Sequence, residues 1–221
     1  MEPRELADLP FAAALRPHAG ELGPGGLGPD QEYDAVHFDK VTFDDATAVN
    51  ARFMECAFTG VSFQAGQLRR ARFIDVWLRD VRLTGTSLAE TSWQDATFAG
   101  AVIAGAEAFG AQLRRVTFRG CKLDSVNFRD AALIDVLFDN CLLRDVDFGG
   151  ATLTRTVFTS SRLDKTDLSR VTMDEVDLRG AELGITISPG SLRGAIITAA
   201  QLIDVAPLLA QTLGITVADG G

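Results

Sequence analysis

From Phe38 to Leu183 a large apolar side chain returns at every fifth residue, and the register never slips. Of the 30 positions in this series, 12 are Phe and 13 Leu, Trp93, Ile103 and Met173 supply one each, and only Ala48 and Ala108 are small. The position two residues earlier, from Val36 to Ala181, is always small: 11 Val, 10 Ala, 4 Thr, 3 Cys, one Ser and one Gly. The residues between are mostly polar, as in Ala71-Arg72-Phe73-Ile74-Asp75. A five-residue period fits neither regular element. On a helix it advances about 500° per step and leaves no face buried. On a strand it sends successive members to opposite sides. A short fixed repeat instead requires every unit to turn a corner, so that coils stack and each buries one large and one small residue.

Units such as Ala151-Thr152-Leu153-Thr154-Arg155 and Val176-Asp177-Leu178-Arg179-Gly180 resemble those of the pentapeptide-repeat proteins, over about two thirds of the chain. The resemblance implies an all-β solenoid, a right-handed quadrilateral β-helix with four units per coil. Thirty units then make about seven and a half coils, a rod roughly 35 Å long at the usual strand spacing. Phe38, Phe58, Phe98, Phe118, Phe138 and Phe158, separated by multiples of twenty residues, form a core ladder along one side.

The period divides the chain into residues 1–34, 35–184 and 185–221. The first part holds a short helix around Glu5–Leu15 and a Gly/Pro linker from Gly20 to Pro29. Leu6, Leu9, Phe11 and Leu15 fold it back over the first coil as a cap, or it serves as a docking arm for a partner. After Leu183 the period fails. Thr198 and Gln201 make a capping box, which starts a helix at Ala199. Pro207 predicts a kink or two short helices, ending before Gly214, and Ile215-Thr216-Val217 a last short strand. A cap needs one apolar face, whereas this α-helical tail is apolar all round. The surplus points to a homodimer through Leu202, Ile203, Val205, Leu208, Leu209 and Leu213, with a fully folded-over end cap as the alternative.

The chain's 47% apolar content supplies a continuous core. No apolar run approaches the ~20 residues that span a bilayer, and Met1-Glu2-Pro3-Arg4-Glu5 lacks a basic signal-peptide start, so a cytoplasmic protein without membrane contact is expected. Cys56, Cys121 and Cys141 all occupy the small inward position and read as core packing. Only two histidines occur, His18 and His37, too few to support a zinc site or a Ser/Cys nucleophile with its base. His37 beside Asp39 reads as a surface contact. Glycines 23, 25 and 26 read as linker rather than as a phosphate cradle. Carboxylates recur at Asp75, Asp95, Asp130 and Asp135, but arginines alternate with them and no calcium-roll nonapeptide is present. No cofactor, metal site or catalytic activity is expected.

Within the family, the layout is similar to the quinolone-resistance group, which implies an acidic, dimeric rod that binds DNA gyrase in place of duplex DNA and does not itself bind nucleic acid. The net charge of -9 fits, yet the segment before Val36 carries -5 of it and the repeat is nearly neutral. A mimic needs sustained negative potential along one surface. Asp75, Asp95 and Asp135 share one column, interrupted by Arg115. The alternative is a general interaction scaffold working through outward apolar residues, above all Trp77 and Phe109. Because Ala108 leaves its inward place nearly empty, Phe109 either stays outside or swings inward through a bulge. Trp77, Phe109, Asp75, Asp95 and Asp135 are therefore the candidate partner surface.

Overall fold

In the computed structural model, residues 5–18 and 26–218 are described. Most of the expected Gly/Pro linker falls outside them. Along the rod every strand runs parallel to its neighbours, and register partners lie twenty residues apart, Phe38 on Phe58, Phe53 on Phe73 and Leu83 on Ile103 among them. Twenty residues are four units, so each coil is a square. The faces centred on Phe38 and Phe43 join into one sheet, because the strand Val157–Asp167 runs unbroken around their shared corner. The Phe53 face is an eight-stranded sheet. On the face of Ala48 and Ala108 the coils touch only through isolated bridges, from Thr47 on Gln67 to Asp147 on Asp167. That side turns more tightly, closing on itself through bonds such as Ala51 N to Ala48 O, 3.2 Å, and Ala111 N to Ala108 O, 3.2 Å.

Every fifth residue from Asp30 to Glu175 has positive φ. This left-handed residue makes the corner, and the chain uses Asp, Asn and Gly there often, the types that adopt it at least cost. The two residues flanking each large apolar side chain face outward, and backbone bonds between coils satisfy the extended segments, as in Arg72 N to Ala51 O at 2.8 Å. Inside, the six ladder phenylalanines are at most 2% exposed. Phe38–Phe58, Phe98–Phe118, Phe118–Phe138 and Phe138–Phe158 stack with ring centroids 4.7–4.9 Å apart.

Small inward residues that carry a hydroxyl or thiol follow one rule, except Thr91, which donates to Leu88 O at 2.7 Å. Thr86, Thr156, Ser161 and Thr166 donate to the carbonyl twenty-three residues earlier, on the coil below. Cys56, Cys121 and Cys141 do the same toward Tyr33 O, Phe98 O and Phe118 O. Each of these hydroxyls and thiols thereby has a partner, whereas His18 Nε2 at the start of the rod is buried without one.

Both rod ends reach further than the five-residue series. Arg16–Pro17 pairs with Val36–His37, and the His18 ring lies 4.8 Å from Phe38, twenty residues on, where the ladder residue of a coil zero belongs. Tyr33 stacks on Phe53 at 4.9 Å within the first full coil, so the boundary at residue 34 is too late. At the other end the strand Val176–Thr186 passes Leu183, and Ala195–Ile196 adds a last rung on Val176–Asp177 at an offset of nineteen. Ten rungs stand on the Phe38 face, about nine turns rather than seven and a half, which lengthens the rod to roughly 43 Å.

At the N-terminus the expected helix is two 3-10 turns, Leu6–Asp8 and Ala12–Ala14. At the C-terminus helix α1 spans Ala199–Thr212 and opens with the capping box of Thr198 and Gln201. It runs through Pro207 as one helix, correcting the expected break. Pro207 and Ile203, whose carbonyl loses its helical partner, both face solvent, where water satisfies it. Residues 215–217 form no strand.

Candidate binding surfaces

The N-terminal segment lies along the outside of the Phe38 face. Leu9 and Phe11 close over Ala57 and Trp77, with Leu6, Ala12 and Leu15 packed around them. Glu5 pairs with Arg79 at the strap's start. Trp77, expected on the surface, is consequently 2% exposed and is removed from the candidate partner surface. Leu137 and Val157, stacked further along this face, are half-buried.

Beside the strap runs a groove of about 470 Å³ whose walls include Phe11, Trp77, Glu55, Asp75, Asp95 and Arg115. Asp95 accepts two bonds from Arg115, at 2.5 and 2.6 Å, and Asp135 two from Arg155, at 2.6 and 2.9 Å. Those guanidinium hydrogen bonds hold both carboxyls below the usual carboxylate range. Asp75 differs. Burial and then the charge of Asp95 raise its pKa, and Arg115 offsets this in part. The three candidate aspartates thus lie on one column, but only the stretch Glu55, Asp75, Asp95 is acidic without interruption.

Pairing twenty residues apart recurs elsewhere on the surface, as between Arg119 and Asp139 at 3.0 Å and between Arg144 and Asp124. Phe109 stays outside, 39% exposed, and no bulge forms, because Ala108 keeps its inward register. A small void of about 20 Å³ remains there, shared with Trp93, Leu88, Phe118 and Phe128.

The tail divides into two sets. Val205 is 3% exposed, and Leu208 and Leu209 pack partly against the rod's end, so these three serve the cap. Leu202, Ile203 and Leu213 are 50%, 73% and 68% exposed and, with Ile196, Ile215 and Val217, make an open apolar surface. Gln201, on the buried side, donates to Leu178 O at 2.7 Å and Ala181 O at 2.8 Å.

The cysteines are buried free thiols. Burial pushes Cys56 up to about 11, and its hydrogen bond with Cys121, then burial, pushes Cys141 up. His37 bonds to Thr59 Oγ1 at 2.9 Å, not to Asp39. No three His, Cys, Asp or Glu side chains among the described residues are grouped to hold a metal ion.

Residues 91–168 match the family model for the pentapeptide repeat region. That stretch is a pentapeptide-repeat region. No curated protein matches the chain in sequence. Among solved structures it is similar to QnrB1, a plasmid-mediated fluoroquinolone resistance protein, at a TM-score of 0.50 and 18% identity over 86% of this chain and 91% of that one. HetL, a pentapeptide repeat protein involved in heterocyst differentiation regulation in the cyanobacterium Nostoc, aligns at 0.45 and 18% over 84% and 89%. A pentapeptide repeat protein of the Arabidopsis thaliana thylakoid lumen aligns at 0.42 and 16% over 60% and 83%. At such identities the likeness is one of fold.

The signal for Trp77's burial was the apolar spacing of Leu9 and Phe11, which the sequence assigned to the rod's end instead of its side. The stacked arginines Arg52 and Arg72 carried no signal until the twenty-residue register was laid out in space.

Proposed function

We propose that this protein is a non-catalytic, protein-binding rod that dimerises through the exposed side of its tail and engages a cytoplasmic type II topoisomerase. The observation that carries the reading is the rod itself, whose fold over most of its length is also that of the fluoroquinolone resistance protein QnrB1. The paired surface narrows the way it acts. Arginines neutralise carboxylates coil by coil, Asp95 and Asp135 among them, so mimicry of duplex DNA is confined to Glu55 and Asp75, and shape and apolar contacts supply the rest. The test is a gyrase supercoiling assay with and without a quinolone. Inhibition, or protection from the drug, is expected at micromolar protein; neither effect sinks the topoisomerase target.

A second reading, a scaffold for another protein partner, is favoured by Phe109, a large aromatic exposed on a turn. In that case gyrase is unaffected, and Phe109→Ser removes partner binding with no loss of stability.

A further inference from the structure

Six arginines of the rod meet a carboxylate directly above or below them, twenty residues away: Arg52, Arg115, Arg119, Arg144, Arg155 and Arg162. Arg72 breaks this pattern. Its register partners are Arg52 on one side and Ser92 on the other. Its side chain makes no ion pair or hydrogen bond among the described residues. Like charges directly opposite each other across a sheet are destabilising. Around the adjacent corner Arg70 is fixed through Nε to Asn50 Oδ1 at 2.9 Å, and Asn50 Nδ2 is fixed in turn to Asp30 at 2.9 Å. That chain orients the guanidinium and leaves its two terminal nitrogens without a partner. Arg52, Arg70 and Arg72 line a groove of about 370 Å³ with Asp30, Glu32 and Asn50.

We propose that this groove binds a phosphate monoester. Glu32 neutralises Arg52 at 3.1 Å, and Asp30, held by Asn50, keeps its charge, so three arginines against two carboxylates leave the groove net positive, with unused planar donors on Arg70 and Arg72. Guanidinium forks match tetrahedral oxyanions and bind them through paired, charge-assisted hydrogen bonds. An anion bridging Arg70 and Arg72 meets that positive charge and relieves the Arg52–Arg72 repulsion. The groove is larger than the ion, which leaves room for the group that carries it. A nucleic acid does not fit this chemistry. The net charge is -9, and the acidic column of Glu55, Asp75 and Asp95 begins at the corner that ends the strand of Arg52. The site is independent of the topoisomerase reading.

The test uses the full chain at low ionic strength, with inorganic phosphate as the first probe and sodium chloride of matched ionic strength as control. Arginine Nε–H resonances and thermal unfolding are both followed. Saturable millimolar binding at Arg70 and Arg72 is expected, with a rise in the unfolding midpoint. Arg72→Gln weakens it about 10-fold and raises the midpoint of the free protein, because the like-charge stack is gone. Arg82→Gln, at an arginine that lies between Ser62 and Val102 and has no ion pair either, changes neither. A phosphoserine peptide that binds more tightly than phosphate assigns a protein-borne monoester, and equal binding assigns a small-molecule one. A response that chloride reproduces, or that survives Arg72→Gln, overturns the site. Duplex DNA binding more tightly than either, through Arg72, overturns the ligand class.

Discussion

In the coil that runs from Trp93 through Phe98 and Ile103 to Ala108, the largest inward residue and the smallest meet across one void. The indole fills much of the place a leucine at 108 would take, stacked 3.7 Å from Phe73 with its Nε1 donating to Thr91 Oγ1. Ala108→Leu alone overpacks the coil and costs about 1–3 kcal/mol, and Trp93→Leu alone opens a cavity and costs about 2–5 kcal/mol. Urea unfolding of the double variant is expected to show a cost smaller than the sum by about 1 kcal/mol or more; simple additivity denies the compensation. Asp75 gives a second test at this scale. Its folded pKa is raised, so its contribution to stability is full below the ordinary carboxylate range and is lost as pH rises through the raised value. Asp75→Asn therefore raises the unfolding midpoint at neutral pH, and the gain vanishes at pH 3 or so, below that range. For Asp95 the sign is opposite: its stabilisation by Arg115 is present at neutral pH and disappears on acidification through its depressed pKa. The identity of the inward residues from Val36 to Leu183 was legible, because the five-residue period marks it. The partner of Trp93 was not, since two residues fifteen apart meet only once the coil closes.

The two end elements close the rod by imitating another coil. At the N-terminus His18 takes the ladder position below Phe38, and Arg16 N donates to Ala35 O at 2.8 Å where an earlier strand would. At the C-terminus Gln201 donates to Leu178 O, twenty-three residues earlier, the same step that Thr86, Ser161 and Cys141 make within the rod. The helix thus presents one amide in place of the polar rung of a coil that is not there. Gln201→Leu keeps the volume and leaves Leu178 O and Ala181 O without donors, a loss of about 1–3 kcal/mol that chemical denaturation would read; an unchanged midpoint removes Gln201 from this role. The helix start was legible from Thr198 and Gln201. The last rungs were not, because the offset there falls from twenty to nineteen and the period dissolves while the sheet continues. The strap hides for a different reason. Phe11→Ser is expected to uncover Trp77 and shift its fluorescence to the red while Trp93 stays buried; unchanged emission means the strap does not shield it.

At the scale of the whole molecule, the open apolar surface of Leu202, Ile203, Leu213, Ile215 and Val217 stands at one end of a rod whose sides are largely paired charge. Ile203→Asp is expected to convert a micromolar dimer to monomer by sedimentation without lowering the unfolding midpoint of the rod, since Ile203 takes no part in the cap. A wild-type chain that is already monomeric ends that expectation. The chain's own pattern determined the solenoid, its inward and outward positions and the helix that follows, because each of these depends on residues a few places apart and on which of them avoid water; the four-unit coil came from the family resemblance. Only the tertiary structure decided that the strap lies along the side and buries Trp77, that arginines neutralise Asp95 and Asp135 in the aspartate column, that Arg72 stacks on Arg52, and that Val205 faces inward while Ile203 faces out. Those outcomes depend on contacts between coils and between ends, made by residues whose nearness is created by stacking and is not written in any local spacing.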